Sequence, residues 1–274
     1  LHFYDDFLFI SKYFIQMSKV PTEYKFFDLS DYGRLPARII AKSLKRTSLT
    51  PINVTVSFIF AGIISIILIL NNQYIAASLF IILKSILDAA DGELARVRES
   101  PSYIGRYFDS VSDIILNFCI LASICYVNNS SWILMLIGFF AFQLQGTLYN
   151  YYYVIFRNKF DGDKTSRVFE NKAPKAMPGE NQHDVNQWFK IYFFCYGWFD
   201  RVIYKMDKNA SQEKYLPRWF MTIVSSFGLG FQLLIISFML SLGMSKNIIP
   251  FFIFYSVFIV VFTTLRKIIN FNKK

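Results

Sequence analysis

Apolar positions along the chain gather into six runs separated by short polar connections. Several of these runs approach the roughly 20 residues that an α-helix needs to cross the hydrocarbon core of a bilayer. The second and third runs reach that length only if their helices continue into the acidic segment between them. The pattern predicts an all-α integral membrane protein with six transmembrane helices, at residues 52–70, 74–87, 114–127, 132–156, 219–242 and 248–265.

Two segments outside the runs have other patterns. Before the first run, Leu35 and Ile39 alternate with basic residues at helical spacing, which favours an amphipathic helix in the headgroup layer over a solvated linker helix. The connection at 157–218 is first polar and rich in turn formers, then aromatic but interrupted by charges. We expect its aromatic part to form a helix on the membrane surface, with a re-entrant segment as the alternative. The predicted parts are an N-terminal cytoplasmic or interfacial segment at 1–50 and a membrane domain at 51–274.

The composition supports a membrane location. Hydrophobic residues make up 54% of the chain and aromatic residues 19%, with a mean hydropathy of +0.35, and these values exceed those of ordinary soluble domains. The formal net charge is +10. Basic residues beside a membrane are attracted to anionic headgroups by about 1 kcal/mol each, so the charge favours membrane lipids over nucleic acid as the partner.

Lysine and arginine are unevenly distributed among the connections. The segments "NNQ" and "NNSS" after the first and third runs carry no charge, and "GMSKN" after the fifth carries only Lys246. The N-terminal segment, the second connection and the C-terminal tail are rich in Lys and Arg, which cytoplasmic segments retain. We expect both termini and the second connection in the cytoplasm, in a bacterial inner membrane or an equivalent one. The first residues lack a basic leader before an apolar core, so we expect no cleavable signal peptide.

The second connection and the helix ends beside it contain four aspartates, in "DAADGELARVRESPSYIGRYFDSVSD" from residue 88 to 113. Asp88 and Asp91 lie on one helical face, and Asp109 and Asp113 lie on one face of the next helix. If these helices are antiparallel neighbours, the carboxylates face one another. Four like charges near a low-dielectric region require cations, and oxygen ligands select hard ions such as Mg²⁺. The spacing predicts a metal site at the membrane edge.

Small residues lie among the aspartates on the same faces. Gly92, Ala95 and Gly105 allow a flat or phosphorylated ligand to approach the backbone. Divalent ions neutralise diphosphates and stabilise charge in phosphoryl transfer. In the alternative, the aspartates cap helices or pair with nearby arginines such as Arg96, but this leaves their regular spacing unexplained. The combination favours nucleotide-diphosphate chemistry.

At these positions the chain resembles the CDP-alcohol phosphotransferase (CDP-alcohol phosphatidyltransferase) family. The family signature is an aspartate, two residues, DG, two residues, AR, eight residues, G, three residues, D, three residues and D, and residues 88–113 match each fixed position. The resemblance implies a homodimer with six transmembrane helices per subunit. It also implies transfer of a substituted phosphate group from a CDP-linked donor, with CDP-diacylglycerol expected, to an alcohol. CMP would be released, and the reaction would serve phospholipid biosynthesis.

The resemblance further implies a role for each signature residue. Besides binding metal, Asp113 would act as the base that accepts the proton of the acceptor hydroxyl. The family's usual asparagine before the first span is replaced here by Ile52, and Asn53 follows one place later. The implied ligands of two Mg²⁺ or Mn²⁺ ions are Asp88, Asp91, Asp109 and Asp113, and the implied nucleotide-binding residues are Gly92, Ala95, Arg96, Ser102 and Gly105.

Several alternatives stay open at the level of sequence. A membrane prenyltransferase also uses aspartates and Mg²⁺ at a bilayer edge, and an ion-coupled transporter would place aspartates along an ion path. Lys84, one turn before Asp88, either pairs with Asp88 or meets an acceptor phosphate, or it extends to the headgroups. The sequence leaves the acceptor alcohol and the role of the 157–218 connection unassigned.

Overall fold

The computed structural model describes residue 20 and residues 22–160, 170–213 and 216–271. The predictions for the first 19 residues and for the last lysines of the tail fall outside these described residues. Within them, the regular elements are helical, in agreement with the predicted class. The α-helices are α1 Arg34–Leu44, α2 Pro51–Leu70, α3 Tyr74–Val97, α4 Tyr103–Val127, α5 Trp132–Lys159, α6 Gln182–Met206, α7 Ala210–Glu213, α8 Arg218–Val224, α9 Leu229–Ser241, α10 Ile248–Tyr255 and α11 Val257–Phe271.

In the described part of the chain, four helical segments are long and apolar enough to cross a membrane, namely α2, α4, α5 and the segment Ser245–Phe271. A fifth arises if Arg218–Phe227 and Leu229–Ser241, which meet at an angle of 50°, form one broken span. The 24 residues of α3 would also suffice in length, but this helix carries Lys84 and several acidic residues. The helices support an integral membrane protein, whereas the count of six spans stays a prediction.

The two short apolar runs continue as helices through the acidic segment, as predicted. α3 extends to Val97 and α4 begins at Tyr103, so all four aspartates lie on helices. Ser102 caps α4, because its hydroxyl accepts a hydrogen bond from the Gly105 amide at 2.8 Å. α2 packs against both α3 and α4. The same helix, α2, therefore packs against both of the helices whose adjoining ends carry the four aspartates.

The helix predicted before the first span is present as α1. Ala37 and Ala41 are buried against α3, while Leu35 and Ile39 are exposed on the opposite side. This outward apolar pair is compatible with a position in the headgroup layer, which stays a prediction. The aromatic part of the long connection also forms a helix, α6, which packs against α4 and α5.

A short turn before α1 lies against the break between α8 and α9. The amide of Leu29 donates a hydrogen bond to the Ser225 hydroxyl at 2.9 Å. A Cβ at Gly230 would lie 2.0 Å from the Ser30 carbonyl oxygen, and a Cβ at Gly228 would lie 2.3 Å from the Ser30 Cβ. Only glycine permits this approach. The contact holds the turn against α9.

Candidate active site

A cavity of about 380 Å³ lies between α3, α4, α5, α6, α9 and the turn at 28–31. The predicted metal ligands Asp88, Asp91, Asp109 and Asp113 all line it, and so do Gly92 and Arg96. The opposite wall comes from α5 and α9, and α6 contributes Tyr196 and Asp200. Helices that are distant in sequence therefore enclose a single chamber around the acidic cluster.

Three of the aspartates converge. One carboxylate oxygen from each of Asp88, Asp91 and Asp109 lies within 4.8 Å of the others. Asp91 is buried and accepts a hydrogen bond from the Thr55 hydroxyl at 2.6 Å. Within the described part of the chain, the buried Oδ1 of Asp109 has no hydrogen-bond partner. Close carboxylates with an unpaired oxygen fit a hard divalent cation, whose preferred ligands are oxygens.

Asp113 lies apart from this group of three and forms an ion pair with Lys84. The Lys84 side chain is 0% exposed, so the predicted alternative of extension to the headgroups is wrong. Its ammonium also lies 5.2 Å from the centroid of the Phe58 ring. Lys84 pairs with an aspartate, as one of the alternatives predicted, but the partner is Asp113 and not Asp88. The roles of Asp113 as a ligand and as a base stay predictions.

The other signature residues divide between the cavity and the start of α4. The Arg96 guanidinium extends past Gly92, where an added Cβ would lie 3.5 Å from Arg96 Nη1. Ser102 and Gly105 form the N-cap of α4, and a Cβ at Gly105 would lie 3.2 Å from the Ser102 hydroxyl. Gly92 and Arg96 line the cavity, whereas Ala95, Ser102 and Gly105 are outside its described lining.

Glu93, a variable position within the signature, lies between three arginines. Its carboxylate is 3.0 Å from Arg96, 3.7 Å from Arg34 and 3.8 Å from Arg38. Burial by itself would lower the pKa of Arg34, but Asp31 and Glu93 raise it above its ordinary value. The guanidinium therefore stays charged beside the cavity. Glu93 orients Arg96, which lies three residues further along the same helix. The contacts of Glu93 with α1 were missed in the sequence, because no local pattern marks Arg34 and Arg38 as its partners.

The long connection holds the start of α4. Arg106 donates two hydrogen bonds to Glu170, at 2.7 and 2.8 Å, and its guanidinium lies 4.6 Å from the centroid of the Tyr107 ring. Glu180 accepts hydrogen bonds from the Ser102 hydroxyl at 2.7 Å and from the Ile104 amide at 2.9 Å. Bidentate and charge-assisted contacts of this kind fix orientation. The connection thus positions the helix that carries Asp109 and Asp113.

α6 adds a second group of polar side chains to the cavity. The Tyr196 hydroxyl donates a hydrogen bond to the Ser110 carbonyl at 2.9 Å. Burial raises the pKa of Asp200 to about 7, and the nearby carboxylate of Glu170 adds to the shift. Near neutral pH, Asp200 is therefore partly protonated, so the α6 wall carries less negative charge than the aspartate count suggests.

Comparison with known proteins agrees with this site. Residues 48–172 match the family model described as CDP-alcohol phosphatidyltransferase. These residues cover α2 to α5 and therefore the whole signature. Over this part of the chain, the match confirms the resemblance noted in the sequence.

Two curated relatives show the same likeness over shorter stretches. The chain is 32% identical over 136 residues to the "Bifunctional IPC transferase and DIPP synthase" of Thermococcus kodakarensis, which covers 50% of this chain and 30% of the relative. It is 38% identical over 61 residues to the "CDP-diacylglycerol--serine O-phosphatidyltransferase" of Helicobacter pylori, which covers 22% of this chain and 26% of the relative. The chain thus spans less than a third of the length of either relative.

Proposed function

We propose that the protein transfers a substituted phosphate group from CDP-diacylglycerol to an alcohol, releasing CMP, as a step in phospholipid biosynthesis. The observation that carries this proposal is the convergence of Asp88, Asp91 and Asp109 within 4.8 Å inside a family domain. The name of the Helicobacter pylori relative supports CDP-diacylglycerol as the donor. The family match favours this reaction over a prenyltransferase or a transporter.

The cofactor we propose is a pair of Mg²⁺ or Mn²⁺ ions, held by Asp88, Asp91 and Asp109, with Asp113 as the fourth ligand residue. When bound, such ions neutralise the donor diphosphate and stabilise the charge that develops on the leaving CMP. The oxygen-only donor set and the unpaired Oδ1 of Asp109 support this assignment.

The remaining chemistry falls to side chains of this protein. Arg96, oriented by Glu93, contacts the donor phosphates, and Gly92 leaves room for the nucleotide beside it. The Asp113 carboxylate accepts the proton of the acceptor hydroxyl, whose oxygen attacks the β-phosphorus directly. Positioning both reactants in one enclosed cavity supplies much of the rate acceleration, because a bimolecular encounter becomes an effectively unimolecular step. No covalent enzyme intermediate is required.

The test of this function is product analysis with purified full-length protein, Mg²⁺, CDP-diacylglycerol and a panel of alcohols. We expect CMP together with a new phosphatidyl alcohol in the mass spectrum. Pyrophosphate release from a prenyl diphosphate would instead indicate a prenyltransferase. Solute movement across vesicles without consumption of any CDP-linked donor would indicate a transporter.

We further propose six spans with both termini and the active site in the cytoplasm, supported by the charge asymmetry of the connections. In a variant without native cysteines, single cysteines at Gln73, Ser131 and Lys246 should react with an impermeant thiol reagent added outside cells. Cysteines at Ser100 and Lys175 should react only after permeabilisation. All five positions are exposed, and they avoid the positive φ of Asn72 and Asn129. Labelling of Ser100 in intact cells would contradict the orientation.

A second copy of the chain and membrane lipids are the expected partners. The homodimer rests on the family resemblance alone. Native mass spectrometry of the protein released from nanodiscs measures it directly, and a monomer at every protein concentration would contradict it.

A further inference from the structure

One face of α5 is largely polar from Gln143 to Tyr153, although the helix begins with an apolar run. Gln143, Gly146, Thr147, Asn150 and Tyr153 recur at intervals of three and four residues and all line the cavity, facing the carboxylates of α3 and α4. None of them carries a charge at neutral pH. A wall without charged side chains therefore lines the same cavity as the proposed metal site.

Three amide side chains from different helices line the cavity beside this wall. Asn117 on α4, Gln143 on α5 and Gln232 on α9 are 3%, 6% and 1% exposed, and each lines the cavity. In the described part of the chain, Asn117 Oδ1, Gln143 Nε2 and Gln232 Oε1 have no hydrogen-bond partner. Buried polar atoms are nearly always paired, so three unpaired atoms around one cavity indicate a ligand.

The direction of the Gln232 amide is determined by its neighbours. Its Nε2 donates to the Phe142 carbonyl and to Gln145 Oε1, both at 3.0 Å, while Gln145 Nε2 donates to the Phe252 carbonyl at 2.8 Å. These bonds leave Gln232 Oε1 free to accept. A Cβ at Gly146 would lie 3.6 Å from that oxygen, so the glycine keeps the space in front of it open.

The amides lie next to the group that would accept the proton. Asn117 follows Asp113 by four residues on α4, so it lies one turn deeper on the same face. An acceptor whose hydroxyl meets Asp113 would place its remaining groups beside Asn117. The arginines that line the cavity are Arg34, which is ion-paired with Asp31, and Arg96, which is ion-paired with Glu93. The described lining from α4, α5 and α9 offers no cation to an anionic acceptor, and the nearby Lys84 ammonium, outside this lining, is paired with Asp113.

The hydrogen-bonding capacity of the amides further limits the chemical class of the ligand. The unpaired atoms comprise two acceptor oxygens and one donor nitrogen. Phosphate and lipid ester groups only accept, and an ammonium only donates, whereas a hydroxyl does both. We infer that Asn117, Gln143 and Gln232 form an acceptor subsite that binds an uncharged polyol. This inference rests on the proposed function and names the acceptor class that the sequence left open.

The reaction at this subsite is balanced. One hydroxyl oxygen of the polyol forms a bond to the β-phosphorus of CDP-diacylglycerol, and its proton passes to the Asp113 carboxylate. The bond between that phosphorus and the bridging oxygen breaks, and the electron pair leaves on CMP. The other hydroxyls keep their hydrogen bonds to the amides.

The test compares acceptors of different charge, using full-length protein with Mg²⁺ and CDP-diacylglycerol in mixed micelles. The panel contains glycerol and myo-inositol as neutral polyols, serine as an amino alcohol, and glycerol 3-phosphate and inositol 1-phosphate as anions. We expect kcat/KM for a neutral polyol to exceed the values for serine and for the anions by roughly tenfold or more, because a charged group that is buried among neutral amides loses its hydration without gaining an ionic partner. A higher value for serine or for either anion overturns the inference and leaves the proposed function standing. Absence of CMP release with every acceptor overturns both.

Two variants locate the subsite. Gln143→Leu and Gly146→Ala should each raise the polyol KM by roughly tenfold while changing the KM for CDP-diacylglycerol less than about twofold. Gly146→Ala removes no hydrogen bond, so it keeps the test decisive if Gln143→Leu reduces the yield of folded protein. Gln73→Leu, at an exposed glutamine without a side-chain cap contact, is the matched control. A rise in the donor KM instead of the polyol KM would assign these residues to the lipid and overturn the inference.

Discussion

Asp109→Asn should reduce CMP release by roughly 100-fold or more, since even the loss of a residue that only supports a metal ligand costs 10–100-fold. The side chain keeps its size, but one of three carboxylates that converge within 4.8 Å loses its charge. Affinity for Mg²⁺ should fall because hard cations depend on anionic oxygen ligands. Turnover of the unmodified protein should likewise disappear with excess chelator and return with added Mg²⁺ or Mn²⁺.

The measurement pairs CMP release with direct binding of Mn²⁺, followed by electron paramagnetic resonance. The second readout separates a lost ligand from a misfolded protein. Asp184→Asn is the matched control, because Asp184 is exposed in the first turn of α6. Full turnover in excess chelator, or unchanged Mn²⁺ binding by Asp109→Asn, would contradict the proposed metal site.

The positions of these carboxylates could be predicted because helical periodicity is a local property. Asp88 and Asp91 share a face whenever their segment is helical, and Asp109 lies on its own helix by the same rule. The apolar runs on either side determine that both segments are helices. The bend between α8 and α9 was not predictable in this way, because it depends on Ser30 packing against Gly228 and Gly230 from the other end of the chain.

The contacts that orient the site depend on packing between distant segments. Thr55 reaches Asp91 across 36 positions, and Arg106 reaches Glu170 across 64. No pattern within one window of sequence specifies such partners. The polar face of α5 is different, because Gln143, Thr147 and Asn150 recur at helical spacing and could have been recognised. They were missed because they lie within a long apolar run that was interpreted as a membrane span.

The ion pair between Lys84 and Asp113 raises the question whether Asp113 serves the structure or the reaction. Lys84 is completely buried, and removing one partner of a buried pair costs about 3–5 kcal/mol. Lys84→Met and Asp113→Asn should therefore each lower the free energy of unfolding. The double variant should recover most of that loss, because neither charge is then left unpaired.

Turnover should respond differently from stability. Asp113→Asn should reduce kcat by roughly 100-fold or more, in line with the loss of a general base, and the double variant should stay as slow although its stability returns. Thermal unfolding in nanodiscs and CMP release measure the two properties on the same samples. If the double variant regained turnover together with stability, Asp113 would act only through folding. If Asp113→Asn retained near-normal turnover while Asp109→Asn did not, the proton acceptor would be another group, because the acceptor hydroxyl must lose its proton to some base within reach.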